Sequence, residues 1–174
     1  PKSPYAEIKV KEENILKRNK NKINFVSYRF GTISGVSKGM RFHTAINKFC
    51  FNAALGRPLP IWKSMMNKPR PYLSLTDAFR VFKFTIENNF FQNEIFNIVS
   101  QNLTLKKIIS YFKKHKKAIK IKYVKSKLTN QYSYKISNKK FSRRALLLKS
   151  NIYNDIKSTL KILRNINNEM QINK

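Results

Sequence analysis

Segments with the pattern of β-strands alternate with segments with the pattern of α-helices along most of this 174-residue chain. The strand patterns cover residues 23–30, 59–62, 72–75, 94–99 and 118–124, and the helix patterns cover residues 4–19, 41–55, 76–88, 104–114 and 151–166. Helices of this length between short strands are typical of crossover connections, which join neighbouring parallel strands. The alternation therefore predicts an α/β fold with parallel strand neighbours.

The predicted helices carry typical terminal residues. Ser3 is placed to cap the first helix, with Pro4 at its first position, and Gly56 follows the helix over 41–55. Thr76 and Thr104 are predicted caps of the helices that they open. In the helix over 76–88, one apolar face is predicted, made by Phe79, Val81, Phe82 and Ile86. Residues 31–40 and 64–71 are predicted loops, whereas 128–150 shows no clear pattern.

The chain is strongly basic, with 37 Lys and Arg against 8 Asp and Glu and a net charge of +29. Of the basic residues 28 are Lys, and 20 Asn and 19 Ile accompany them, which a genome rich in AT codons would produce without selection for phosphate. Residues 113–127 hold eight lysines, which we interpret as a solvated face. The alternative is a basic nucleic-acid-binding protein such as an organellar ribosomal protein, with lysines on one continuous face.

Several classes of protein are excluded or disfavoured by composition. The single cysteine, Cys50, excludes an internal disulfide framework, and with only two histidines, far apart in sequence, a metal enzyme is not expected. No run of eighteen apolar residues occurs, so no membrane span is expected. The first residues lack the apolar core of a signal peptide.

The spacing Tyr5-x-x-x-Lys9 is the first candidate functional motif. Residues four apart share one helix face, and a nearby ammonium lowers the pKa of a phenol, which makes it usable as a general acid and base. The alternative is an ordinary surface pair, because the same spacing recurs at Tyr123/Lys127 and Tyr153/Lys157.

Two further motifs lie in predicted loops. Gly31-x-x-x-Gly35-x-x-x-Gly39 lacks the G-x-G-x-x-G spacing of a dinucleotide loop. We interpret it as a flexible loop after a strand, which can still border a ligand. Trp62 and the segment Lys68-Pro69-Arg70-Pro71-Tyr72 offer aromatic rings and a guanidinium for a base and a phosphate. The alternative for this segment is a surface loop with one core aromatic residue.

Taken in order, these segments resemble the C-terminal part of an extended short-chain dehydrogenase/reductase. The resemblance is carried by SPYAEIKVKEENIL, VSYRFGTISG, GMRFHTAINKFCFNAALGRPLPIW, KPRPYLSLTDAFRVF and EIFNIVSQNLTLKKII, which span about residues 3–112. The segment NQYSYKISNKKF, residues 130–141, is similar to a later family segment. More narrowly, the chain resembles the NAD-dependent epimerase/dehydratase group, which acts on nucleoside-diphosphate sugars.

The resemblance implies roles for individual residues. Tyr5 and Lys9 correspond to the catalytic tyrosine and its lysine, which also contact the cofactor, NAD or NADP. Phe30 and Gly31 correspond to the strand end that passes the nicotinamide. For the substrate, the implied contacts are Thr32, Leu59, Trp62 and Arg70, with Leu59 to Trp62 near the nucleobase and Arg70 on the diphosphate. Many members have Asn where this chain has Thr32, which leaves the sugar open.

The resemblance also implies a domain organisation in which part of the family pattern is missing. Residues 1–38 correspond to the end of a Rossmann domain and residues 39–174 to the substrate domain, with residues 71–99 returning to the Rossmann sheet. The family's Gly-rich loop, its acidic ribose ligand and its Ser/Thr beside the tyrosine have no counterpart here, and no initiator Met is present. We therefore expect a fragment that is poorly stable and inactive alone; NAD binding by residues 1–174 would contradict this.

The implied function is NAD-dependent epimerisation, dehydration or oxidation of a nucleoside-diphosphate sugar by a cytoplasmic enzyme. A homodimer is consistent with the family, and neither a membrane nor nucleic acid is expected as a partner. A degenerate, non-catalytic remnant with a structural or interaction role is a third interpretation.

Overall fold

The computed structural model of the chain describes residues 3–115, 119–124 and 133–172. Its helices are α1 Pro4–Arg18, α2 Ala45–Ala54, α3 Leu75–Glu87, α4 Leu105–His115, α5 Lys139–Arg144 and α6 Ile152–Ile172. Its strands are β1 Val26–Phe30, β2 Thr32–Ser34, β3 Leu59–Trp62, β4 Arg70–Ser74, β5 Glu94–Ile98, β6 Gln101–Leu103 and β7 Ile121–Val124. A 3-10 turn, Lys63–Met65, follows β3. The predicted α/β fold is confirmed.

The strands form three small sheets within the described residues. β1 pairs with β5, and β3 pairs with β7, in both cases parallel. In the third sheet β4 lies between β2, to which it is parallel, and β6, to which it is antiparallel. The predicted return of residues 71–99 to the Rossmann sheet stays a prediction, although β5 from this range pairs with β1. The division into domains at residue 38 stays a prediction.

Several helix termini have the predicted caps. The Ser3 hydroxyl accepts a hydrogen bond from the Ala6 N–H at 3.2 Å, and the Thr104 hydroxyl accepts one from the Lys107 N–H at 3.2 Å. The residue at the N-cap of α3 is Ser74 rather than Thr76, and the cap of α2 is Thr44. The predicted strand over 118–124 begins at Ile121, and Ala118 lies outside the described residues.

The prediction of a loop over residues 31–40 was wrong at its start, where β2 forms. Thr32 and Ser34 pair with Tyr72 and Ser74 of β4, which lie forty residues away in sequence. A three-residue strand has too few residues to show an alternating pattern, so only this long-range pairing reveals it. β4 likewise begins at Arg70, inside the predicted loop over 64–71.

The predicted apolar face of α3 was also wrong. Val81 is fully buried, but Phe79, Phe82 and Ile86 are 66%, 50% and 74% exposed. The helix instead buries Ala78, Val81 and Thr85. The Thr85 hydroxyl tolerates burial because it donates to the Val81 carbonyl oxygen at 2.7 Å and shares a 2.6 Å hydrogen bond with the Tyr28 hydroxyl.

Two hydrophobic clusters hold these elements together. The larger lies between α2, α4, α6 and β3, with Phe49, Phe112 and Ile156 fully buried at its centre. The smaller lies between β1, β5, α3 and α5, where the rings of Phe96 and Phe141 meet edge to face at 5.6 Å. No helix among the described residues is long and apolar enough to cross a membrane.

Candidate functional site

Helix α1 presents Tyr5 and Lys9 on one face, as their spacing predicts. Tyr5 is 70% exposed, and the Lys9 Nζ lies 5.7 Å from the centre of its ring. The same ammonium donates to Glu12 Oε2 at 2.8 Å. This hydrogen bond raises the pKa of Lys9, so that the side chain keeps its charge next to the phenol.

An ion pair fixes α1 to β1. The Arg29 Nε donates to Glu13 Oε1 at 2.6 Å, and a second guanidinium nitrogen donates to Glu13 Oε2. This paired hydrogen bonding lowers the pKa of Glu13 and raises that of Arg29. Since α1 has no buried residue among those described, the bidentate pair is a principal link between the helix that carries Tyr5 and the strand below it.

A groove between α1 and β1, here called the Lys9 groove, has a volume of about 720 Å³. Its walls include Tyr5 and Lys9 from α1 and Tyr28 and Phe30 from β1. A volume of this size is typical of cofactor and ligand sites. The groove therefore offers the Tyr5 ring and the Lys9 ammonium beside strand β1.

Tyr5 also lines a second space, the Tyr5 cavity, of about 570 Å³. Gly31 and Thr32 contribute to it from the end of β1 and the start of β2. On the other side lie residues of the segment that precedes and enters α2, namely Arg41, His43, Thr44 and Asn47. Tyr5 is thus the side chain that the Lys9 groove and the Tyr5 cavity share.

A third space, the Trp62 cavity, has a volume of about 270 Å³. It shares Thr32, His43 and Thr44 with the Tyr5 cavity. Its own wall contains Trp62 and Arg70, together with Lys48, Phe49, Met65, Lys68, Tyr72 and Leu105. The three spaces follow one another in the order Lys9 groove, Tyr5 cavity and Trp62 cavity, and we call the three together the cleft.

The two cavities of the cleft are lined by cations and by no carboxylate among the described residues. Arg41 lines the Tyr5 cavity, whereas Lys48, Lys68 and Arg70 line the Trp62 cavity. The Arg70 guanidinium also lies 5.7 Å from the centre of the Tyr134 ring. Such a site favours an anionic ligand with an aromatic or apolar part that packs on Trp62.

Gly31 is required by the close approach of two strands beside the cleft. A Cβ atom at this position would lie 3.1 Å from the carbonyl carbons of Pro71 and Tyr72, which is tighter than ordinary packing allows. The Gly31 N–H donates to the Ile98 carbonyl oxygen at 3.0 Å. The glycine thereby joins the ends of β1 and β5 to β4 and sets the position of Thr32.

Beneath the cleft lies a buried carboxylate that the sequence did not single out. Asp155 of α6 is 8% exposed and accepts hydrogen bonds from the hydroxyls of Ser34 and Ser74, each at 2.9 Å. Burial raises the pKa of Asp155, and the two hydroxyls partly oppose this rise. Its burial could have been predicted from the sequence, because Asp155 lies on the same side of α6 as Ile152, Ile156 and Leu160.

A second buried acid, Asp77 at the start of α3, makes a similar connection. Its Oδ2 accepts from the Ser100 hydroxyl at 2.7 Å and from the Ser150 N–H at 3.1 Å, and its Oδ1 accepts from Arg80 at 3.1 Å. Through these bonds α3 is tied to the segments before β6 and α6. Neither acid lines any of the three spaces of the cleft, and their hydrogen bonds join the elements around it.

Most of the predicted site residues line the cleft. The structure brings Tyr5, Lys9 and Phe30 together around the Lys9 groove, Gly31 and Thr32 to the Tyr5 cavity, and Trp62 and Arg70 to the Trp62 cavity. Leu59 is the exception, because its side chain is fully buried in the larger core and lines none of the three spaces. Their roles in catalysis and binding stay predictions.

Residues that connect the two cavities were not among those predicted from the sequence. His43 and Thr44 lie between the Tyr5 cavity and the Trp62 cavity. Asn47 is 5% exposed, and its Oδ1 has no hydrogen-bond partner among the described residues. In the sequence, these residues are marked only by being polar residues at the start of a helix that follows a glycine-rich segment. Cys50 is fully buried, and burial raises the pKa of its thiol, so it takes no part in the chemistry of the cleft.

The sequence profile of the family described as "NAD dependent epimerase/dehydratase family" matches residues 1–99 of the chain. Curated proteins contain no significant match to the sequence. The fold is similar to that of UDP-glucuronic acid 4-epimerase from Bacillus cereus, solved with UDP-glucuronic acid and NAD, with a TM-score of 0.81 at 20% identity. That alignment covers 95% of this chain and 54% of the epimerase.

Two further solved structures are similar to the same extent. The dTDP-glucose 4,6-dehydratase from Streptomyces venezuelae, solved with NAD, has a TM-score of 0.78 at 17% identity, over 95% of this chain and 52% of that one. The UDP-glucose 4-epimerase from Thermus thermophilus, also in complex with NAD, has a TM-score of 0.79 at 18% identity, over 94% and 55%. The chain thus spans about half the length of the structures that it matches.

Proposed function

The chain belongs to the NAD-dependent epimerase/dehydratase family, and from this premise we propose that its cleft is the substrate side of an NAD-dependent enzyme acting on a nucleoside-diphosphate sugar. The observation that carries the proposal is the position of Tyr5. It lies where the Lys9 groove meets a cation-lined space that extends to Trp62 and Arg70. A phenol at this junction reaches a cofactor on one side and a sugar on the other.

The Lys9 groove fits the nicotinamide end of NAD or NADP. Strand β1 from Ser27 to Phe30 forms one wall, the exposed ring of Tyr5 lies beside it, and the Lys9 ammonium at its edge is a donor for ribose hydroxyls. When bound, the nicotinamide supplies a hydride acceptor and donor. Gly31 continues the groove towards the Tyr5 cavity, which supports the predicted contact of Phe30 and Gly31 with the cofactor.

In the proposed reaction Tyr5 moves a proton at its hydroxyl oxygen. As phenolate it accepts the proton of a sugar hydroxyl when the carbon that bears it is oxidised, and it returns the proton when that carbon is reduced. Lys9, 5.7 Å from the ring centre, stabilises the phenolate by its charge. The ion pair of Lys9 with Glu12 weakens this effect, so we expect Lys9 to turn from Glu12 towards the ligand during turnover.

The substrate is proposed to extend from the Tyr5 cavity into the Trp62 cavity. Thr32 lines both and is proposed to lie beside the sugar. There the Asn47 Oδ1, which has no partner among the described residues, can accept a hydrogen bond from a sugar hydroxyl. Arg70 is placed to bind the diphosphate, and Trp62 to pack on the base. Leu59 contributes no side chain to the cleft; its part in binding is proposed to be the support of β3 beneath the base.

The Trp62 cavity can be tested directly, because Trp62 is the one tryptophan of the chain. We expect its fluorescence to change saturably when UDP or dTDP is added to the 174-residue protein. Arg70→Gln should weaken the nucleotide at least tenfold, since it removes a charge-assisted hydrogen bond, whereas the exposed Arg57→Gln should leave the affinity unchanged. No response to millimolar UDP, dTDP or GDP would refute a nucleotide site at Trp62.

The role of Tyr5 is tested by Tyr5→Phe in protein that turns over a nucleotide sugar. Loss of the hydroxyl should lower kcat by about 10² to 10⁴ while cofactor binding is kept. Tyr153→Phe is the matched control, because it has the same four-residue spacing to a lysine but lies away from the cleft. Retained turnover in Tyr5→Phe would remove Tyr5 from the reaction.

Four accompanying statements stay predictions: the particular sugar chemistry, a homodimer, a cytoplasmic location, and the poor stability and inactivity of residues 1–174 alone. In the described part β1 pairs along one edge only, with β5, so its other edge has unpaired backbone groups. Thermal unfolding and NAD binding of the 174-residue protein test the last of these statements.

A further inference from the structure

The charge of the chain is unevenly placed. Residues 100–174 hold 20 of the 37 Lys and Arg but only two acids, Asp155 and Glu169. Every ion pair among the described residues has its carboxylate between Glu12 and Glu94. A bias towards AT-rich codons would raise the number of lysines, but it does not explain why no cation of α4 or α6 makes an ion pair among the described residues.

On α4 and α6 these cations collect around stacked rings. The His115 ring stacks on Tyr153 at 4.8 Å between ring centres, and Tyr111 meets Tyr153 edge to face at 5.4 Å. Lys107 lies 5.5 Å from the centre of the Tyr111 ring, and Lys114 lies 5.9 Å from that of Tyr153. The rings hold the two ammonium groups in place, which lowers the entropy cost of a contact with an anion.

Lys157 and Arg164 of α6 belong to the same cluster. Both lower the pKa of His115 by repulsion, in addition to the larger effect of its burial, so their charges lie close to the imidazole. Lys107 and Lys114 are seven residues apart, as are Lys157 and Arg164, which places each pair two helical turns or about 10.5 Å apart. None of the four makes an ion pair within the described part of the chain.

We propose that this α4–α6 surface, formed by Lys107, Lys114, Lys157 and Arg164, binds the sugar–phosphate backbone of a single-stranded nucleic acid. The separation of about 10.5 Å within each pair lets its two cations contact different phosphates of one strand. A membrane surface fits less well, since a helix that binds lipid presents large apolar side chains beside its cations. Among the described residues of α4 and α6, the one large apolar side chain that is exposed is Ile162, which lines a space with Phe79 of α3.

The test compares two variants of equal net charge. K107Q/K114Q/K157Q/R164Q removes the cluster, and K11Q/R18Q/K20Q/K22Q removes three lysines and one arginine from exposed positions on and after α1. Binding of a fluorescein-labelled 20-nucleotide oligouridylate is followed by anisotropy between about 50 and 200 mM salt. We expect the cluster variant to bind at least tenfold more weakly, with a salt slope smaller by about 3, at about 0.7 per lost phosphate contact. The control variant should bind within about twofold of the unaltered chain.

His115 gives a second readout that needs no substitution. Bound phosphates offset the repulsion by Lys157 and Arg164, so its pKa, followed by NMR of the imidazole, should rise when the oligouridylate is added. A change at His43 without one at His115 would place the nucleic acid in the cleft and overturn the proposal. It would also be overturned by equal weakening in both variants, by no binding of the unaltered chain, or by preference for phosphatidylserine vesicles.

Discussion

The contact of Asp155 with Ser34 and Ser74 gives the sharpest test of how the cleft is held together. Asp155→Ala leaves both hydroxyls, on residues that are 1% and 0% exposed, without their acceptor. Each buried polar group that loses its partner lowers the free energy of unfolding by about 1–3 kcal/mol. Removal of a buried charge is itself stabilising and offsets part of this loss. We therefore expect the free energy of unfolding to fall by about 2–4 kcal/mol, which is a large share of the stability of a typical domain.

The measurement is urea unfolding followed by circular dichroism, with two controls. Asn154→Ala, on the exposed side of the same helix, should change the free energy of unfolding by less than about 0.5 kcal/mol. The triple variant Ser34→Ala, Ser74→Ala, Asp155→Ala should be more stable than Asp155→Ala alone, because no hydroxyl is then left unpaired. The reasoning would be refuted if Asp155→Ala lowered the free energy of unfolding by less than about 0.5 kcal/mol. It would also be refuted if the triple variant were less stable than Asp155→Ala.

The pH dependence of the same contact has a definite sign. Burial raises the pKa of Asp155 in the folded protein above its ordinary value of 3.8, so the folded state holds this proton more tightly than the unfolded state. The stabilisation that this bound proton provides is fully present below pH 3.8 and is lost as the pH rises through the pKa that Asp155 has in the folded protein. The stability of the unaltered chain relative to Asp155→Asn should therefore be greater at about pH 4 than at about pH 7.

Three further outcomes are expected from unfolding measurements. Gly35→Ala should cost about 1–3 kcal/mol, because φ is +126° and the new Cβ would lie 2.9 Å from another side chain, whereas Gly39→Ala, which meets nothing within 4 Å, should be neutral. Phe141→Ala should cost about 3–5 kcal/mol since its ring is fully buried, and the 66% exposed Phe79→Ala should cost less than about 0.5 kcal/mol. Hydrogen bonds with two cations of α5 lower the pKa of Glu94 in the folded protein. Its ionised form therefore stabilises the fold above the ordinary pKa of 4.5, and this stabilisation is lost as the pH falls through the pKa of the folded protein. Glu94→Gln should make the stability less dependent on pH in the acid range.

Local patterns of the sequence were sufficient to locate some of the elements. The strand over Leu59–Trp62 has the predicted bounds, and α1 begins at the Ser3 cap and at Pro4 as predicted. The cap of α1 depends on residues close in sequence, whereas β3 is completed by parallel pairing with β7, where Leu59 lies opposite Ile121. The buried face of α3 was predicted wrongly because the sequence does not show which side of the helix its neighbours cover. Phe79 and Phe82 lie on one side and Val81 and Thr85 on another, and the structure buries the second side.

The candidate site likewise has some features that local sequence patterns predict and others that depend on the tertiary structure. Four-residue spacing on a helix placed Tyr5 and Lys9 on one face, and the order of the quoted segments supported the family, which the profile over residues 1–99 bears out. The pairing of Thr32 with Tyr72 depends on β2, a strand of three residues. No pattern of period two can be read from so short a segment.

The sequence by itself determined the family, the α/β class and the pairing of a phenol with an ammonium one helical turn away, because each of these follows from local spacing or from ordered segments. Only the tertiary structure decided that Tyr5 joins two spaces, that Leu59 belongs to the core, and that Asp155 bonds to Ser34 and Ser74 from a distant helix. These features depend on contacts between residues as many as 121 positions apart, which arise when the chain closes around its two cores.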